Sequence, residues 1–479
     1  MKTFSRATLI LNPITGAFLI SLAFWFYLFL TTQTFVSADA VSYEQHGSFF
    51  YEGGLAKYFH HGIPREPLYP LTIALSMRLG DFFHTSYLAI QRIFQIFILC
   101  LTQFLLFRLL KKMRIDDRMI AATILYFAVS PAVVNSAFCL FSEIMNYPFV
   151  IGAVWSSIYS WRAIHEKENR KAILGGFLMA FCFVFLTFNK AIFEIIMPIY
   201  LLVFFYPLLR SLLKKQKRIF ISSGFFLLSS ILVFQSCVAA YKFQNLKYNG
   251  SFVFTDRGPW LFYGNTARRT GQLTPRKLLS NVAYTFGEGV CQSFFSQEDC
   301  NYWSFHTSDN LGLAKLNELK HDVAVQAAVD HELVRASLKK ILSNPWQYGL
   351  LFIIESQKML LWESTKVGFV AYPPWLTRLY DWTPLKNGLR LLIYLLTLFS
   401  LLSLIVICVG NKSKINDTQS KAAFDAQAVF FILIFLFTYI AMHSLVSIVI
   451  RYATPIIPLY VIGIAYSAQN FMSRFSKPP

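Results

Sequence analysis

The chain has 479 residues, of which 55% are hydrophobic, 17% aromatic and only 14% charged, with a mean hydropathy of +0.48 and a formal net charge of +19. A soluble globular domain carries ~25% charged residues, so the composition excludes an ordinary soluble enzyme and predicts an all-α polytopic membrane protein. Nucleic acid is not an expected partner, because no aromatic-interleaved basic stripe or folded reader motif accompanies the positive charge.

Read in chain order, apolar runs of the ~20 residues needed to cross a bilayer fall near 14–36, 88–108, 119–138, 145–163, 173–189, 191–210, 219–240, 389–410, 427–449 and 453–471. That is about ten transmembrane helices. The first follows Lys2 and Arg6 and is long enough to span, so an uncleaved helix is expected there despite the small residues Val36-Ser37-Ala38. Basic clusters stand between the runs: Arg108, Lys111, Lys112, Arg114 and Arg118; Arg162, Lys167, Arg170 and Lys171; Arg210, Lys214, Lys215, Lys217 and Arg218; Lys412, Lys414 and Lys421. Short basic connections mark the cytoplasmic side and attract anionic membrane lipids. Starting with the N-terminus inside places every cluster inside and both termini in the cytoplasm. The connections 130–143 and 187–194 then lie outside with one basic residue between them, Lys190. The expected location is multi-pass, in a bacterial inner or plasma membrane.

The expected organisation is a transmembrane core, 1–240, with a first outer loop at 37–87; an extracytoplasmic segment, 241–387; and C-terminal transmembrane helices, 388–479. In the first outer loop Tyr43, Phe50, Leu55, Tyr58 and Phe59 recur near helical spacing among polar residues, which predicts helix lying in the interface. In the second, 308–343 is helical by pattern and Asn344-Pro345 closes it. The following apolar stretch carries Glu355, Lys358 and Glu363. If it crossed the membrane, the basic 411–421 segment would be outside, so a surface or re-entrant helix is expected. Neither a repeat period nor inverted transporter-like halves is visible. Five cysteines lie in or beside apolar runs; Cys291 and Cys300 fall in the outer segment and are disulfide candidates. No His/Cys set stands at zinc spacing.

Several polar residues sit where the apolar runs end. Asp39 follows the first, with Glu44 and Glu52 in the same loop. Asp39 is either a solvated loop acid or a general base that takes the proton of an acceptor hydroxyl, and Glu44 is a candidate supporting carboxylate. Arg65, in Arg65-Glu66-Pro67-Leu68-Tyr69-Pro70, either holds a phosphate through a charge-assisted contact or snorkels beside Glu66. Glu143, after Ser142 and ahead of Asn146-Tyr147-Pro148, is either a cavity carboxylate or an acid favoured by a helix N-terminus. Lys190 either meets an anionic leaving group or pairs with Glu194 four residues on. Arg451, in an otherwise uncharged stretch, is a forked phosphate holder or an interfacial anchor, and Tyr452 beside it is a candidate supporting residue. His443 reads as a packed, hydrogen-bonded histidine. Nucleotide P-loop, dinucleotide-binding, HExxH and GxSxG patterns are all absent, so activation energy would have to arrive in a lipid-linked substrate.

The order of these features resembles the GT-C superfamily of membrane glycosyltransferases, which use polyprenyl-phosphate-linked sugars and include aminoarabinose and mannosyl transferases. The likeness runs through Asp39 after the first span, Arg65 to Pro70, Gly80, Gln91-Arg92, Ser142-Glu143 and Arg451-Tyr452-Ala453-Thr454-Pro455, over roughly the first 200 residues and the last 30. The resemblance implies Asp39 as catalytic base, Glu143 as a second active-site carboxylate, and Arg65, Lys190 and Arg451 as phosphate contacts. It implies a polyprenyl-phosphate-linked sugar as donor and a lipid or glycan as acceptor. No cofactor is required, although carboxylates meeting phosphate leave room for a divalent metal. The pattern departs from the family's paired prolines, here Glu66-Pro67, and from its acidic pair, here Asp39-Ala40. Two other functions fit a polytopic chain: a flippase for lipid-linked glycans, and a non-enzymatic assembly subunit.

Overall fold

The first helix starts where Asn12 accepts a hydrogen bond from the Ile14 amide at 3.0 Å and Pro13 takes the first turn, a position where its missing N–H costs nothing. In this computed structural model the described residues are 12–322, 326–364, 369–411, 415 and 421–475. Lys2, Arg6, Lys412 and Lys414 lie outside them, as does the side chain of Lys421. The N-terminal elements are α1 (Pro13–Thr31), α2 (Asp39–His60), α3 (Leu68–Phe82), α4 (Tyr87–Lys112), α5 (Asp117–Val129), α6 (Pro131–Phe138), α7 (Tyr147–His165), α8 (Asn169–Asn189), α9 (Phe193–Leu213) and α10 (Lys217–Asn249). The outer segment holds α11 (Arg257–Arg269), α12 (Pro275–Phe286), α13 (Glu288–Gln292), α14 (Gln297–Asn301), α15 (Phe305–Asp322), α16 (Gln326–Ser343), α17 (Pro345–Ser356) and α18 (Pro374–Asp381). The chain closes with α19 (Thr383–Gly410), α20 (Lys421–Val446) and α21 (Ile457–Phe475). The only strands among the described residues are β1 (Gln33–Thr34) and β2 (Val370–Ala371), antiparallel, with Gln33 opposite Ala371.

The protein is therefore an all-α, multi-pass membrane protein. Among the described residues seven helices, α1, α4, α8, α9, α10, α19 and α20, are long and apolar enough to cross a bilayer, and the pair α5–α6, bent by 49°, makes an eighth if it is one span. Pro131 causes the bend: it cannot donate to the ladder, and Ser130 caps the new helix at the Val133 amide, 3.4 Å away. The remaining two expected spans are α7 and α21, each of 19 residues. Neighbouring helices sheathe α7 along most of its length, so it needs no uniformly apolar surface. At 33 residues, α10 is about 50 Å long. It overshoots a hydrocarbon core of ~30 Å, and the expected boundary at 240 falls inside it. The boundary at 387 likewise falls inside α19.

The stretch expected as the first outer loop is helical, in α2 and α3, with a kink in α2 at Gly54, whose φ of 63° favours glycine. The stretch after Asn344-Pro345 is not one long apolar helix: α17 has 12 residues and gives way to a 3₁₀ turn at Gln357–Met359 and extended chain. One large core runs through the helix bundle, while Leu316, Val329 and Leu333 form a small separate one in the outer segment.

The connections sort to two ends. Those following α1, α6, α8 and α20 meet at one end, where Asp39, Glu143, Lys190 and Arg451 touch. At the other end Arg114 pairs with Asp425, Arg162 reaches Gln427 at 2.9 Å, and Gln469 bonds the Arg114 carbonyl at 3.0 Å.

Candidate active site

Asp39 opens α2, immediately after Ala38 turns the chain with φ 50°. Each of its carboxylate oxygens meets one guanidinium: Arg65 Nη2 donates to Oδ1 at 2.8 Å, and Arg451 Nη2 donates to Oδ2. Pro64 and Pro67 keep Arg65 in a non-helical turn. Its backbone carbonyl accepts hydrogen bonds from Tyr58 and, at 3.0 Å, from Tyr241 of the long α10. The Arg65 guanidinium lies 4.6 Å from the Tyr43 ring centre, and Tyr43 is one turn beyond Asp39 on the same helix face. Burial disfavours the charged form of Asp39, but Arg451 and Arg65 outweigh it and hold the carboxyl well below the usual range.

Glu143 stands beside this bridge in a 3₁₀ turn, Ser142–Asn146, and is 1% exposed. Its Oε1 lies 3.2 Å from Lys190 Nζ and 3.3 Å from Arg451 Nε. The second contact is an ion pair without hydrogen-bond alignment, since Nε has no partner by that criterion. The other oxygen, Oε2, is buried without a partner among the described residues. Burial opposes the charge on Glu143, and Lys190 and Arg451 override it to keep the carboxyl below its ordinary value. Lys190 is itself desolvated, yet Glu143 raises its ammonium above the usual lysine range. The Lys190 ammonium also reaches Tyr43 OH at 3.4 Å, and that hydroxyl is 3.0 Å from Ser142 Oγ. Asn189 fixes the turn by donating to the Ser142 carbonyl at 2.7 Å. Arg451 lies 4.7 Å from the Phe141 ring centre and bridges both carboxylates.

The structure thus joins Asp39, Arg65, Glu143, Lys190 and Arg451 in one network. Tyr452 is adjacent, with its carbonyl held by Tyr439 OH at 2.9 Å and its ring 4.9 Å from His443. Glu44 engages Tyr87 at the head of α4, outside the network. Two local pairings differ from expectation. Lys190 pairs with Glu143 because its backbone is extended (φ −149°, ψ 111°), so helical spacing to Glu194 does not apply; Glu194 takes Lys242. Arg65 takes Asp39, while Glu66 accepts from the Ala191 amide at 3.1 Å. His443 is packed between Tyr439 and Tyr452, but its Nε2 has no partner among the described residues. Cys291 and Cys300 form a disulfide.

Sequence reasoning missed the aromatic seats Tyr43 and Phe141. Their position gave a usable signal, four residues after Asp39 and two before Glu143. It also missed Asp309 of α15, whose Oδ1 is buried without a partner among the described residues and whose carboxyl burial pushes up to about 6. The charge of Asp39 acts on it. Among the described residues no three His, Cys, Asp or Glu side chains gather as a metal-binding group; the two site carboxylates face guanidinium and ammonium groups instead.

Two carboxylates and three cations, fixed by aromatic seats and backbone hydrogen bonds, leave an excess of positive charge. Such an arrangement can bind an oxyanion and stabilise negative charge developing on it, with a carboxylate at hand to accept a proton. The chain matches no protein-family model and no curated protein.

Proposed function

We propose that the chain is an integral membrane glycosyltransferase with ten spans and both termini in the cytoplasm. It moves a sugar from a polyprenyl-phosphate carrier to an acceptor hydroxyl on the extracytoplasmic side of a bacterial plasma membrane. The observation that carries this reading is the bridge Arg65–Asp39–Arg451 beside Glu143–Lys190. It sets one carboxylate between two forked cations at the end of the bundle where α1, α6, α8 and α20 stop.

In this mechanism the acceptor O–H bond breaks, its proton passes to Asp39, and the oxygen bonds to the anomeric carbon from the face opposite the leaving group. The bond from that carbon to the phosphate oxygen breaks, and the phosphate departs with the electron pair, so configuration inverts. Arg451 and Lys190 neutralise the departing charge. At rest Asp39 is a weak base, because two guanidiniums stabilise its anion. A donor phosphate that takes over their N–H groups makes the carboxylate more basic, so proton abstraction waits for the donor.

The test is transfer by purified protein in detergent, with a panel of radiolabelled polyprenyl-phosphate sugars and a membrane extract as acceptor. Wild type moves label, and Asp39→Asn is slower by about 10²–10⁴-fold, the usual contribution of a positioned base. Full activity in a normally folded Asp39→Asn protein removes Asp39 from that role. No transfer from any donor by folded wild type sinks the transferase reading.

A further inference from the structure

At the end of the bundle opposite Asp39, α4, α7, α8 and α20 line a half-open cavity of about 200 Å³. Lys112, Arg162, Lys171, Trp155, Phe424 and Glu166 are the residues of its wall that matter. The Lys112 ammonium sits 5.5 Å from the Trp155 ring centre and 5.1 Å from that of Phe424. The Arg162 guanidinium lies 5.3 Å from the Phe424 ring centre, and its Nε donates to Gln427 at 2.9 Å. Among the described residues neither cation forms an ion pair with a carboxylate. Of the nearby acids, Asp425 takes Arg114 through one oxygen and also acts electrostatically on Arg162, its Oδ1 being buried without a partner among the described residues; Glu168 takes Lys171 at 2.9 Å, and Glu166 is the one carboxylate in the wall.

Two cations seated on aromatic faces, with donors still free, are poised for an anion. A hydrogen bond between a charged donor and an oxyanion is stronger than a cation–π contact at an exposed site. An entering phosphate therefore adds contacts stronger than those already present. The surroundings bear on the rest of the ligand. Leu174 and Leu178 follow Lys171 on one face of α8 at helical spacing and are 50% and 43% exposed. An apolar strip thus leads away from the cationic wall toward the middle of the span. A phosphate site joined to such a strip fits a lipid better than a free ion.

We propose that this cavity binds the phosphate of an anionic membrane lipid, Lys112 and Arg162 holding the headgroup and the Leu174–Leu178 face of α8 taking the acyl chains. The site is independent of the transfer chemistry at the other end of the bundle. It gives the basic connections a specific ligand beyond their general preference for one membrane face.

Trp155, in the wall, is the reporter. Full-length protein in detergent micelles is titrated with phosphatidylglycerol brominated on its acyl chains, and the Trp155 signal is the difference between wild type and Trp155→Phe. Saturable quenching is expected, with apparent affinity at least tenfold weaker in the Lys112→Ala/Arg162→Ala protein and retained in Lys112→Arg. Equally brominated phosphatidylcholine quenches less, and inorganic phosphate does not displace the brominated lipid. Displacement by inorganic phosphate overturns the lipid as ligand in favour of a free-phosphate site. Equal quenching by both lipids, or quenching unchanged in a double variant with wild-type helicity and melting, overturns the site.

Discussion

The two acids that face each other electrostatically near the site, Asp39 and Asp309, have opposite pH signatures. Asp39 is held well below the ordinary carboxylate range. Its stabilising contribution is therefore complete above the unfolded value of about 3.9 and is lost as the pH falls toward the folded one. Asp309 is pushed up to about 6. Between about pH 4 and 6 the folded protein binds more protons at Asp309 than the unfolded chain does, so stability falls as pH rises through that window. Replacing Asp309 by Asn removes this loss: melting temperatures of variant and wild type, followed from pH 4 to 7, should diverge in the variant's favour as pH rises. Parallel curves would mean that Asp309 titrates normally. At this scale the sequence was informative about which residues matter and silent about how they pair. Asp39, Glu143, Lys190 and Arg451 stood out because each interrupts apolar chain at the end of a run, where an ionised group must have a partner or water. Arg451 contacts Asp39 across 412 positions, and no local pattern encodes such a contact. Lys190 offered a plausible local partner in Glu194, and the extended backbone at Lys190 defeated it.

Among the elements, α17 fastens the outer helices to the bundle. Its Glu355, 0% exposed, takes Arg269 at 2.6 Å, Arg268 at 2.7 Å and Asn281 at 3.2 Å. Arg269 also donates to the Ser444 carbonyl at 2.6 Å, and Tyr348 OH donates to that of Leu445 at 3.2 Å. Both carbonyls belong to the end of α20, shortly before Arg451. Burial pushes the neighbouring Lys358 ammonium down to about 8, as expected where three cations crowd one carboxylate. Glu355→Ala leaves two buried guanidiniums without their anion, and breaking such a pair costs about 3–5 kcal/mol. The expected result is a lower melting temperature with early proteolysis between α11 and α16, and Glu355→Asp should lose less. Wild-type melting of Glu355→Ala would show that the outer helices are held by something else. The sequence marked Glu355 and Lys358 as unfit for lipid and placed the helix stop at Asn344-Pro345. It did not reveal Arg269 as the partner 86 positions away. The strand pair β1–β2 was equally invisible, because two-residue strands carry no periodicity to read.

For the whole molecule, composition and span length were enough to identify a multi-pass helical protein, since a lipid-facing helix must be apolar along ~20 residues. They are weakest for helices that other helices sheathe, such as α7, and that is where the hydropathy of the seven clear spans does not extend. Orientation depends on a different quantity, the distribution of Lys and Arg. The geometry makes that rule testable, because the carboxylate site and the basic connections occupy opposite ends of the bundle. Trp346, at the start of α17, is 89% exposed, and Leu213, at the end of α9 in a basic connection, is 83% exposed. Each is replaced by cysteine in a background whose free cysteines, Cys100, Cys139, Cys182, Cys237 and Cys408, are serine, with the Cys291–Cys300 disulfide kept. A membrane-impermeant maleimide applied to intact cells should label Trp346→Cys, and should label Leu213→Cys only after permeabilisation. The reverse pattern would invert the protein and put the Asp39 site in the cytoplasm, out of reach of an extracytoplasmic acceptor. Labelling of both positions in intact cells would place both ends of the bundle on one side, and the alternation of ten spans would then be wrong.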